Sequence, residues 1–167
     1  KTLFPYTTLF RSAQAELSHI PMSCETPLTG DRKQLNRAAI EGISFHNTKL
    51  ALEKRGGGAD RAALKFRCGG VMPSAYPSAE EAAYVIHRCA TTGVPLKFTA
   101  GLHHPIRRFD PSVRTMSHGF VNVFMASILA RELDLDLPDV LAIIEETDAA
   151  HFEIGDETLG WNEATAT

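Results

Sequence analysis

The chain has 167 residues, 44% of them hydrophobic and 22% charged, with a formal net charge of −3. That ordinary globular composition excludes disorder, collagen-like repeats and a disulfide scaffold, and no apolar run approaches the ~20 residues of a membrane span. Charge is uneven: residues 65–114 carry seven Lys/Arg against three acids and residues 131–167 one Arg against eleven acids, so the basic region is too local for nucleic-acid binding and points to a small anionic metabolite as partner.

Residues 1–12 resemble a translated sequencing adapter, carried by the string FPYTTLFRS, and are set aside as an artefactual leader. Residues 13–167 are then expected to form a single partial α/β domain, truncated from a longer chain. An apolar stretch at residues 19–24 predicts the first strand. Asp31 with Gln34 three residues on predicts a helix start, and the stripe Leu35, Ala39, Ile43, His46, Leu50 predicts its buried face. Gly56, Gly57 and Gly58 end that segment. A second strand follows at residues 62–68. Ser78 and Glu81 cap a helix with Ala82, Val85, Ile86 and Cys89 inward, closed by Gly93. Residues 94–99 predict a third strand, residues 100–115 a basic loop, and residues 116–132 a third helix. A fourth begins with Pro138 at its first position, where the missing N–H costs nothing. Residues 151–161 predict a terminal hairpin.

This alternation is the pattern of parallel βαβ units. The expected fold is α/β, the C-terminal part of a TIM-like (β/α)8 barrel, with an open doubly wound sheet as the alternative. Cys24, Cys68 and Cys89 lie far apart without a C-x-x-C pair, which excludes a zinc knuckle and suggests reduced thiols in a cytoplasm.

Strands covered on both faces read as continuous apolar runs, and these do not. With Leu64 and Phe66 facing helices, Lys65 and Arg67 share the opposite face; Lys97 and Thr99 do the same in the third strand, and Ser23 and Glu25 in the first. Several charges on one sheet face call for mutual pairing or a ligand. A purely structural ion-pair network is the plain alternative. Gly69, Gly70 and Gly101 follow the strands at once, where backbone N–H groups can meet an anion, although a tight turn needs glycine as well. His103 and His104 follow the third strand and suit proton transfer. His118 opens the third helix, with Asn122 four residues on to orient it. No cofactor is predicted; a divalent metal held by Glu25, His103 and His118 is the alternative. His19, His46, His87 and His151 are read as structural, and Arg107, Arg108 and Arg114 as solvated surface.

The strings KFRCGG at residues 65–70, LKFTAGLHHP at residues 96–105 and HGFVN at residues 118–122 resemble the motifs K-x-R-x-G-G, F-K-x-T-A-G-L-H-H-P and H-G-F-x-N of a family of uncharacterised bacterial proteins. The resemblance spans about residues 22–161, with Leu96 where the family has Phe, and it implies a longer chain but no reaction. At fold level the paired strand lysines are also similar to deoxyribose-phosphate-aldolase-like barrels, where one lysine forms an imine and the second tunes it. The expectation is therefore a lyase or aldolase-type enzyme. Lys97 is the nucleophile or an electrostatic catalyst, Lys65 and Arg67 bind an anion and tune the lysine pKa, His103 or His104 moves protons, and Glu25 is base or orienting carboxylate. A metal-dependent hydrolase or isomerase and a non-catalytic anion-binding barrel are the other two readings. Uncovered sheet edges would promote self-association.

Overall fold

The computed structural model describes residues 22–53 and 61–167. The leader, His19, the start of the first predicted strand and Gly56–Gly58 lie outside the described residues. The elements run β1 (Ser23–Glu25), α1 (Arg32–Leu52), β2 (Ala63–Arg67), α2 (Ala79–Thr92), β3 (Leu96–Thr99), β4 (Arg108–Asp110), β5 (Thr115–Ser117), α3 (Phe120–Glu132), α4 (Leu137–Glu145), β6 (Phe152–Ile154), β7 (Leu159–Trp161) and β8 (Ala164–Ala166).

β1, β2 and β3 form a parallel sheet in sequential order. Alternation puts Cys24, Leu64, Phe66, Leu96 and Phe98 on one face. There they join a core with Ile40 and Ile43 of α1 and Val85, Ile86 and Cys89 of α2. Both crossover helices thus cover the same face. The order has no reversal, unlike a doubly wound sheet. The class is α/β, and among the described residues three parallel strands form an open sheet with no barrel closure.

The capping box of α2 is present as predicted, with Gly93 left-handed at its end and Ala82, Val85, Ile86 and Cys89 all buried. α1 differs from expectation. Its buried residues are Asn36, Ile40, Ile43 and Asn47, because polar side chains are satisfied inside. Asn47 donates to the carbonyl of Ala62 and accepts from its N–H, both at 2.9 Å, and Asn36 accepts from Thr26 at 2.6 Å. Two amides thereby tie the helix to the chain entering β2 and leaving β1.

The predicted basic loop contains the β4–β5 hairpin, and α3 starts at Phe120, not Met116, since Thr115–Ser117 pairs with Arg108–Asp110. α4 is capped by Asp136, which puts Pro138 at the second helical position. α2, α3 and α4 pack on one another, and β7 and β8 pack on α3. The terminal hairpin is extended by β8 into a three-stranded antiparallel sheet. Phe120, Phe124 and Ile128 form an exposed stripe on α3, with Phe98 edge-on to Phe124 at 5.9 Å. Among the described residues no helix is long and apolar enough to cross a membrane.

Candidate functional site: the polar face of the parallel sheet

The face of the sheet opposite the helices carries its charge in rows. Register aligns Glu25, Lys65 and Lys97 across the three strands and places Arg67 beside Thr99 one step further along. The Glu25 carboxylate bridges two cations. Lys65 Nζ approaches Oε2 at 2.6 Å, and Arg67 Nε donates to Oε1 at 2.9 Å. Lys97 makes no ion pair among the described residues. Three cations against one carboxylate leave this patch at a net charge of +2.

Hydrogen bonds from Lys65, then from Arg67, lower the pKa of Glu25. A carboxylate so stabilised is a poor general base, so of the two expected roles for Glu25 the geometry favours orienting its neighbours. The hydroxyl of Thr99, at the C-terminal end of β3, is buried and has no hydrogen-bond partner among the described residues. An orphaned buried hydroxyl is unusual.

The turns after β2 and β3 pack backbone against backbone. A Cβ on Gly69 would lie 2.6 Å from the Gly101 Cα and 2.7 Å from the Tyr76 ring, and one on Gly101 would lie 2.6 Å from the Cys68 carbonyl oxygen. Gly101 is also left-handed, at φ 70°, and follows Ala100 at φ 58°. A Cβ on Gly70 would lie 2.8 Å from that of Ala75. Close packing therefore supplies a reason for all three glycines that is independent of any anion.

The histidines divide. His103 is exposed and His104 half-buried, and no hydrogen bond joins either ring to Glu25, Lys65, Arg67 or Lys97 among the described residues. His118 is fully buried: its Nε2 lies 2.9 Å from the Pro77 carbonyl and its Nδ1 3.2 Å from Arg107 Nη1. Since a carbonyl only accepts, Nε2 carries the proton and Nδ1 accepts from the guanidinium. Burial, and then the Arg107 charge, push the imidazole down to about 4, so it is neutral. With both nitrogens committed it has no lone pair for a metal. In this arrangement His118 offers nothing to the alternative set of Glu25, His103 and His118, and among the described residues no three His, Cys, Asp or Glu side chains are grouped to hold an ion.

Asn122 makes no hydrogen bond to His118. Its Oδ1 accepts from the Arg107 backbone N–H at 2.9 Å, and its Nδ2 donates to the carbonyls of Ile143 and Glu146 at 2.9 and 2.8 Å. His118 and Asn122 thus converge on Arg107, one on the guanidinium and one on the backbone. Sequence reading assigns Arg107 to solvated surface; the basic run of its neighbours hides it, and only the H-x-x-x-N spacing hints at a shared target. Burial raises the thiols of Cys68 and Cys89 to about 12, which removes both as nucleophiles.

Comparisons with protein-family models, with curated proteins and with solved structures found no match.

Proposed function

We propose that the polar sheet face is the working face of an enzyme of lyase or aldolase type, acting on a small phosphorylated or carboxylated carbonyl compound. What supports this reading is one juxtaposition: Lys97 stands without an ion pair among the described residues, beside the Lys65–Glu25–Arg67 cluster, in a patch with a net charge of +2. The sheet is then an arc of a TIM-like barrel, with this face as its interior. Lys65 and Arg67 hold the anionic group, and Glu25 keeps the two cations in place.

In that chemistry the Lys97 ammonium gives up a proton, its amine attacks the substrate carbonyl carbon, and the carbinolamine oxygen takes up a proton and leaves as water, giving a protonated imine. The bond between the α and β carbons then breaks, its electron pair moving into the imine to give an enamine. The β-hydroxyl gives up its proton, and the carbon that bore it leaves as an aldehyde. Proton transfer falls to His103 or His104, on the segment that leaves β3. Enamine protonation and hydrolysis release the second product and restore the amine.

Borohydride trapping tests the proposal, with pyruvate and dihydroxyacetone phosphate as probes. A reduced adduct on Lys97, lost in Lys97→Met, is the expected result. No covalent mass on either Lys97 or Lys65 would overturn the lyase reading. The net positive charge of the patch serves a second reading equally, anion binding without turnover. Thermal stabilisation by phosphate esters without an adduct would select it.

A further inference from the structure

A cavity of about 430 Å³ lies where three connections meet, at the carboxyl end of the parallel sheet. Arg32 reaches it from the start of α1, Tyr76 and Glu80 from the β2–α2 connection and the start of α2, and Arg107 and Thr115 from the segment between β3 and α3. Glu145 closes it from the end of α4. Carboxyl ends of parallel strands are where α/β proteins bind ligands.

The fixing of Arg107 is the observation that points to a ligand. An arginine that serves only solubility needs no positioning, since its charge is as well hydrated in any rotamer. Here a buried neutral imidazole holds the guanidinium and a buried amide holds the backbone. Neither neutralises the charge, and among the described residues no carboxylate lies within ion-pair distance of Arg107. The other arginine of the cavity is used up: Arg32 pairs with Glu81 at 3.2 Å and donates to the Ser74 carbonyl at 3.2 Å. The acids that influence Arg107 from further off are Glu145 and Glu80.

A preset planar donor is the ordinary recognition element for a carboxylate. Two acids across the same space oppose a ligand that is only an anion, and Arg107 opposes one that is only a cation. We infer that this cavity binds a small zwitterion of the α-amino acid class, with its carboxylate on Arg107 and its ammonium toward Glu80 and Glu145. Tyr76 and Met116 supply apolar wall for a side chain. The inference is independent of the lysine face, because it uses none of its residues.

The test is titration of the full chain with each standard L-amino acid in turn, followed by the Arg107 Nε–H resonance and by thermal shift. The best binder is then compared with its deamino and decarboxylated analogues. The expected result is that the parent amino acid moves the Arg107 resonance and both analogues bind about tenfold more weakly or worse. Arg107→Lys keeps the charge but loses the fork, and should weaken binding by a similar factor. Glu145→Gln, at an exposed helix end that does not threaten folding, should abolish the preference over the deamino analogue. No amino acid moving the resonance would overturn the inference, and so would equal binding of parent and deamino analogue to the unaltered protein.

Discussion

Arg67 and Arg107 are both partly buried guanidiniums at the same end of the sheet, and opposite means hold them. Arg67 lies against the Glu25 carboxylate, which also takes Lys65, so much of its charge is spent inside the fold. Arg107 is gripped by an imidazole and an amide, and among the described residues by nothing anionic. The difference separates two ways of building a cationic patch. A row of cations tied by one shared acid tolerates movement and change, because half-exposed ion pairs contribute little to stability. A single cation seated by buried neutral groups is geometrically fixed, and its surroundings are expensive to disturb, because each buried partner left alone carries a desolvation cost.

The largest expected effect follows from that asymmetry. Asn122→Ala strands the Arg107 N–H and the carbonyls of Ile143 and Glu146 together. It should cost about 3–5 kcal/mol in urea unfolding. A loss below about 1 kcal/mol would erase the proposed contrast between the two regions. Next comes Gly101→Ala, which strikes the turn shared by both. The new Cβ would combine left-handed strain with a 2.6 Å approach to the Cys68 carbonyl, for a loss of about 2–4 kcal/mol. Gly42, with nothing within 4 Å of its would-be Cβ, is the matched control: Gly42→Ala should be neutral or slightly stabilising.

How much of this was legible in the sequence depends on whether the signal was periodic. Lys65, Arg67, Lys97 and Thr99 stand out because strands alternate strictly, so a polar residue at every second position locates a face by spacing alone. The buried side of α2 is equally plain, being wholly apolar. The buried face of α1 departs from the apolar stripe because Asn36 and Asn47 are buried yet polar; hydrophobic spacing has no term for an amide whose hydrogen bonds are all made inside. The seat of Arg107 has no periodic signature. His118 and Asn122 lie 11 and 15 residues beyond it. They reach it only because β4 and β5, three residues each, fold the basic segment back on itself, and strands so short leave no pattern.

Acid should loosen the Arg107 side through Glu146, whose backbone carbonyl Asn122 holds. Burial of the Glu146 carboxylate tends to raise its pKa. The N–H groups of Asp148 and Thr147, the His151 ring and the Trp161 indole outweigh this and hold it at about 2. A carboxylate depressed in the folded state stabilises the fold above its unfolded pKa near 4.3, and that stability is lost as pH falls toward about 2. His151 has the opposite sign. Its pKa is raised by the Glu146 hydrogen bond, so its contribution is present below about 6.5 and lost as pH rises through the raised value. Protection factors of the β6 and β7 amides, corrected for intrinsic exchange at each pH, should therefore be highest between those limits. Protection that is flat across them would show that Glu146 does not anchor the terminal sheet.

Glu25→Gln should have the smallest effect and is the sharpest check on the sheet face. The substitution keeps the shape of the side chain and removes the charge that Lys65 and Arg67 share. Both pairs are open to water, with side chains 28–37% exposed, so screening leaves less than about 1 kcal/mol to lose. The same change raises the patch from +2 to +3, which should tighten phosphate binding at low salt and leave it little altered at high salt. A loss comparable to that of Asn122→Ala would mean instead that the three strands depend on Glu25 for their alignment. The row of charges would then be a structural network with the same claim to rigidity as the seat of Arg107, and the proposal of Lys97 as a nucleophile would lose its support.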